Sequence, residues 1–316
     1  MGDLDRAVKA VIDDCLAVRE GEEVLVIANP ASIGLGERLR AEAGRAGADA
    51  VLALIAERQS HAAEPPDSVA AAMKAADAVL APTIQSLSHT AARRAASEAG
   101  VRVATLPGVT EETLARTMGI DVEALRRRSA AIAQRLTRGS KAEITCASGS
   151  ELRIGLGDRE GIADDGDITT PGAFGNLPCG EGFIAPIEGT TEGTLVVDGT
   201  IAQIGAITEP SVLTVEDGHL VGATGPQGEQ LMELLIVHGP DGTNVAELGI
   251  GTNEKATLSG NLIEDEKILG TVHVAFGASA AIGGTVQVPV HLDCVVMKPT
   301  VSIDGEPLVR AGELLV

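Results

Sequence analysis

Over the first 138 or so residues, short apolar runs alternate with stretches whose apolar residues recur every three or four positions. The runs are "EEVLVIAN", "ADAVLALIA" (48–56), "ADAVLAP" (76–82) and "VRVATLP" (101–107). Between them lie "GLGERLRAEAGRAG", "DSVAAAMKAA" and "SHTAARRAASEAG", which carry the helical period. Strands apolar on both faces with helices between them predict a parallel, doubly wound α/β sheet. The charged helix "DVEALRRRSAAIAQRLTRG" (121–139) then bridges to the rest of the chain.

From about residue 139 the pattern changes to short, glycine-punctuated strands such as "AEITCAS", "ELRIGL", "GTLVVDG", "SVLTVEDGHLVGATG", "VAELGIG", "TVHVAFG" and "VQVPVHLDCVVM". One good helix interrupts them, around "GEQLMELLIVHG" (228–239), so this half reads as a β-rich α+β domain. A chain of 316 residues exceeds what one compact core usually serves. Two domains are therefore expected: a Rossmann-like α/β domain over 1–138 and a β-rich metal-binding catalytic domain over 139–316.

Composition narrows the chemistry. There is no Trp, no Tyr and only three Phe, which removes the platforms on which single-stranded nucleic acids stack. The formal charge of -21 also repels phosphate backbones, so no nucleic-acid partner is expected. Cys15, Cys146, Cys179 and Cys294 lie far apart with no C-x-x-C pair and read as reduced thiols. The opening "MGDLDRAVKAVIDDCLAV" reads as an acidic amphipathic helix, and no apolar run approaches a membrane span. The expectation is a cytoplasmic protein that does not enter the membrane. "VIANPASIGLGERL" lacks the full G-x-G-x-x-G and no P-loop occurs, so an ordinary βα turn is expected there and no nucleotide cofactor. His61 and His89 stand alone on polar stretches and read as solvated surface.

Candidate chemistry gathers in the second half. Alternate strand residues share a face, so His291 and Asp293 of "VHLDC" project the same way, their Cα atoms about 7 Å apart. Val290, Leu292 and Cys294 point to the other side. His273 interrupts one face of "TVHVAFG", and Glu247 faces away from Ala246, Leu248 and Ile250. Imidazole with carboxylate and no thiolate suits Zn, Mn, Co or Fe(II). On spacing alone these groups also fit a buried hydrogen-bonded network.

"FGNLPCGEGFIAPIEGTTEGTLVVDG" (174–199), followed by "AELGIG", "HVAFG" and "HLDCVVMKPTVSIDG", resembles the thermophilic metallo-aminopeptidase family. That family carries N-L-P-T-E-E, then a Glu, a His before a glycine-ended strand, H-x-D and a D-G turn. The same superfamily includes a mononuclear-iron enzyme that opens the ring of 2,5-dihydroxypyridine, whose length and "EGTL" and "H-L-D" blocks are at least as similar. The resemblance implies ligands for two adjacent ions at Glu247, His273, His291 and Asp293. Glu181 is the surviving member of the paired glutamates, as ligand or base, and Gly180 replaces the other. Glu266 is the nearest equivalent of a further peptidase glutamate, displaced by two positions. Ala280 stands where the peptidases have a Tyr. In the ring-opening enzyme, iron is held by two His and an Asp; its first His falls at Glu247 and an apolar residue falls at His273. Glu247 and His273 together therefore resemble the peptidase and favour two metals over one.

The leading expectation is accordingly an aminopeptidase-like metalloprotease, a hydrolase of amide or peptide bonds. Two Zn, Co or Mn ions about 3.5–4 Å apart would share a water. The alternative is a ring-cleaving dioxygenase with one Fe(II) on His291, Asp293 and either His273 or Glu247. A third reading is a noncatalytic relative that binds metal or peptide. The partner expected is a small molecule or short peptide, and edge strands of the β-rich half could pair across a homodimer. Cys179 and Cys294 read as buried filler rather than nucleophiles or ligands.

Overall fold

In the computed structural model, which describes residues 2–316, the chain divides into two compact units. They are Met1–Glu123 with Gly166–Cys179, and Ala124–Asp165 with Gly180–Val316. The first holds an all-parallel sheet in the order Asp49–Leu54, Glu23–Ala28, Ala78–Ala81, Arg102–Thr105, Phe174–Asn176. Helices Ile33–Arg45, Asp67–Ala75 and Ala91–Glu98 make the crossovers between its first four strands. The central strands are buried along almost their whole length, whereas the edge strand Asp49–Leu54 leaves Val51 and Leu54 exposed. Its fifth strand arrives from a distant segment. "FGN" is too short and too glycine-rich to carry a strand period, so sequence gave no sign of it.

The second unit is built on two antiparallel sheets. One has eight strands, in the order His219–Thr224, Ser211–Glu216, Glu192–Val197, Glu151–Gly155, Lys141–Thr145, Thr300–Ile303, Glu306–Arg310, Glu313–Leu314. The other has seven, in the order Gly205–Ala206, Thr200–Ile201, His291–Val296, Val272–Gly277, Val245–Gly251, Glu181–Ile184, Ile162–Asp164. A single apolar cluster draws Leu248, Val274 and Cys294 from the seven-stranded sheet and Ile144, Leu195 and Leu213 from the eight-stranded one. Helix Val122–Arg138 contributes Ile132 and Leu136 to that cluster, so most of it is core of the second unit. No helix among the described residues is long and apolar enough to cross a membrane.

Candidate metal centre

The seven-stranded sheet turns its apolar residues to the core and keeps its polar ones on the other face. Register decides which polar residues meet. Glu247 pairs with Ala275, which pairs with Asp293, forming one row across three strands. In the next row Phe183, Gly249, His273 and Val295 lie side by side, and in the third Asp164 and Glu181 adjoin Gly251. Small residues alternate with the polar ones, which leaves space above the sheet. At Gly249 that space is filled by the His273 ring: a Cβ there would come within 2.8 Å of ring Cδ2 and closer still to Cε1 and Nε2.

Two groups of donor atoms result, each within 4.8 Å of one another, and they share Glu247. The inner group is Glu181, Glu247 and His273. Nε2 of His273 stands 3.1 Å from Glu181 Oε2 and 3.2 Å from Glu247 Oε1. The outer group is Glu247, His291 and Asp293, with His291 Nε2 at 3.4 Å from Glu247 Oε2 and 3.5 Å from Asp293 Oδ1. Inner side chains are almost wholly enclosed, whereas 32% of the His291 side chain reaches solvent. His291 Nδ1 lies 2.8 Å from the Ala278 carbonyl and donates to it, which aims Nε2 into the group.

Lys267 completes the arrangement, and sequence reasoning missed it. Its side chain is 2% exposed, and Nζ lies 2.5 Å from Glu181 Oε1, 2.8 Å from Glu266 Oε1 and 3.2 Å from Asp164 Oδ2. Burial alone would lower its pKa, but these three carboxylates outweigh that and hold it well above the ordinary lysine value. Burial is also the largest influence on Asp164 and pushes it up to about 7, with Lys267 opposing and Glu181 adding to the rise. The Glu266 carboxyl is pushed up to about 8 by burial, again against Lys267, with Glu181 and Asp293 adding. For Glu181, burial is outweighed by Lys267 and His273, so its carboxyl sits below the usual range. Glu247 is lowered likewise, its burial offset by hydrogen bonds to His273 and His291. Both imidazoles rise well above the usual histidine value despite burial: His273 through Glu181 and Glu247, His291 through Asp293 and Glu247.

A divalent cation fits this donor set. Four buried carboxyls, Glu181, Glu247, Glu266 and Asp293, and the partly buried Asp164 meet one ammonium and two imidazoles, an excess of acceptor oxygens. Glu181 Oε2 is buried with no hydrogen-bond partner. Donors held about 2.0–2.2 Å from a common ion stand roughly 3.0–3.6 Å from one another, and His291 Nε2 stands at such a distance from both carboxylates of the outer group. Glu266 belongs to neither group among the described residues; its Oε1 is on Lys267. Cys294 is in the apolar core, where burial raises its thiol well above the usual value. Cys179 is buried in the first unit. His61 is exposed, with Nδ1 accepting from the Ser86 amide, and His89 is also exposed.

A family profile, NicX: 2,5-dihydroxypyridine 5,6-dioxygenase, matches residues 4–316. The chain is 24% identical over 223 residues to the 2,5-dihydroxypyridine 5,6-dioxygenase of Pseudomonas putida KT2440, an alignment covering 65% of this chain and 62% of that protein. It thus spans less than two thirds of that relative's length. The solved structure titled 2,5-dihydroxypyridine dioxygenase from the same organism superposes with a TM-score of 0.85 at 21% identity, over 99% of this chain and 97% of the other. Wild-type AmpT from Thermus thermophilus superposes at 0.73 with 20% identity, over 99% of both chains. At these identities the two structures establish a shared fold. The family match overturns the expectation of a metallohydrolase of the aminopeptidase kind. Physically, the feature that favoured it has another explanation: His273 packs over Gly249 against Glu181 and Glu247, and Glu181 is tied to Lys267. The peptidases' second glutamate cannot stand at Gly180 in this backbone, where φ is +131° and a Cβ would meet Asn253 Cβ at 2.8 Å.

Proposed function

The chain belongs to the 2,5-dihydroxypyridine 5,6-dioxygenase family, and from that membership we propose that it is an iron-dependent ring-cleaving dioxygenase acting on a dihydroxylated pyridine or a similar small aromatic. The match over residues 4–316 carries the reading. Glu247, His291 and Asp293 would hold one Fe(II). Bound there, iron supplies the redox chemistry by which triplet oxygen reacts with a closed-shell ring. A triad of imidazole and carboxylate with open positions suits that role, although this chain offers one imidazole and two carboxylates.

The chain's own residues do the rest by position. The hydrogen bond from His291 Nδ1 to the Ala278 carbonyl keeps Nε2 free to ligate. His273 Nε2 is hydrogen-bonded to Glu247 Oε1 at 3.2 Å and so fixes the Glu247 carboxylate. The half-buried flank of His291 is the side from which a planar ring would approach. The same reading keeps a cytoplasmic enzyme that pairs as a homodimer.

The test is oxygen uptake by iron-loaded protein with 2,5-dihydroxypyridine. One O2 consumed per ring lost, both its atoms found in the product from labelled oxygen, and no turnover under anaerobic conditions are expected. Loss of the ring absorbance without oxygen, or none with iron and oxygen present, would refute the proposal.

A further inference from the structure

The inner group, Glu181, Glu247 and His273, has the donors and spacing of a second cation site, yet one of its carboxylates is already engaged. Glu181 Oε1 accepts from Lys267 Nζ at 2.5 Å, while Oε2 faces His273 Nε2 at 3.1 Å. Any dication ligated by Oε2 would therefore stand one carboxylate away from an ammonium that is 2% exposed, where burial leaves the repulsion weakly screened. That ammonium is held in place by three oxygens, those of Asp164, Glu181 and Glu266. The strands carrying Asp164 and Glu181 pair those two residues directly, so the cradle is part of the sheet.

We infer that Lys267 takes the place of a second metal ion, and that this side chain restricts the centre to one ion per chain. The inference rests on the proposed outer site for that one ion. It assigns Lys267 a role in metal stoichiometry, separate from any contact with substrate. Its charge satisfies Glu181 permanently, where an exchangeable ion would otherwise do so. Removing the charge while keeping the length of the side chain leaves Asp164, Glu181 and Glu266 without their cation. A second dication then becomes the group that neutralises them.

Equilibrium dialysis of the full chain against Co2+ alone, with cobalt counted per folded chain and its visible absorption recorded, reads this without reference to turnover. Wild-type protein should bind one equivalent. Lys267→Met should bind two, with the added ion's absorption bands, and Lys267→Arg should return to one. Combining Lys267→Met with Glu181→Gln should remove the second equivalent, which locates it in the inner group. Lys267→Gln serves the same purpose if the methionine variant fails to fold. Two equivalents on the wild-type protein would overturn the inference and leave the dioxygenase reading standing. A folded, neutral variant at position 267 that still binds one would also overturn it, and no bound ion on the wild type would remove both.

Discussion

Gly249→Ala probes how the sheet makes room for its histidine. Gly249 lies opposite His273 in the antiparallel register, in a backbone conformation that alanine adopts freely. An added Cβ would stand 2.8 Å from ring Cδ2 and nearer to Cε1 and Nε2. Carbon contacts relax at about 3.5–4.0 Å, so the ring must move on the order of 1 Å. It has nowhere to go: the residue is 1% exposed, and Nε2 is flanked by Glu181 at 3.1 Å and Glu247 at 3.2 Å. Overpacking of this kind costs about 1–3 kcal/mol, of which replacing a strand glycine returns about 0.5–1 kcal/mol. The net loss is about 0.5–2 kcal/mol, a fall in Tm of roughly 1–3 °C for a chain of 316 residues. Moving the ring also removes the partner of Glu247 Oε1, and loss of a ligand's hydrogen-bond partner weakens metal affinity by about 10–100-fold. Calorimetry of the metal-free protein and anaerobic Fe(II) dialysis measure the two effects. A variant with unchanged Tm and unchanged affinity would show that the ring is not confined as described.

Three further outcomes are expected. His291→Ala should lose most bound iron and nearly all oxygen uptake while melting cooperatively; full iron content would remove His291 from the ligand set. The Glu188 carboxyl is held at about 2, its burial outweighed by hydrogen bonds from Arg159 and the Thr285 amide. Its folded pKa is depressed, so its contribution is present above about pH 4.5 and is lost as the pH falls towards 2. Glu188→Gln should therefore lower stability by about 1 kcal/mol at pH 7, after allowance for solvent screening, and make no difference near pH 2; denaturant melts at the two pH values check this. Among the four cysteines, Cys146 should react first with a thiol reagent. It alone is not buried, and hydrogen bonds from Ser148 and Ser150 outweigh its partial burial to lower its pKa. Modification of Cys294 in native protein at the same rate would contradict its enclosure in the core.

Local periodicity was enough to separate the parallel α/β part from the β-rich part and to assign side chains to faces. Apolar residues at 248, 250, 272, 274, 292 and 294 had to face a core, which left Glu247, His273, His291 and Asp293 on the opposite face. Their residue types then pointed to a cation. Sequence could not decide between a peptidase and a dioxygenase, because Glu247 with His273 was read through a resemblance rather than through packing. Nor could it find Lys267. A lysine in the irregular stretch before a strand has no period to betray burial, and its partner Glu181 lies 86 residues earlier in the chain. The strand Phe174–Asn176 was invisible for the same reason: three residues become a strand only because the Arg102–Thr105 edge is there to pair with them. Which face a side chain takes is a local property of an extended backbone, fixed by alternation. Which side chains meet depends on strand register and on long-range pairing, and those are settled only when the whole sheet assembles.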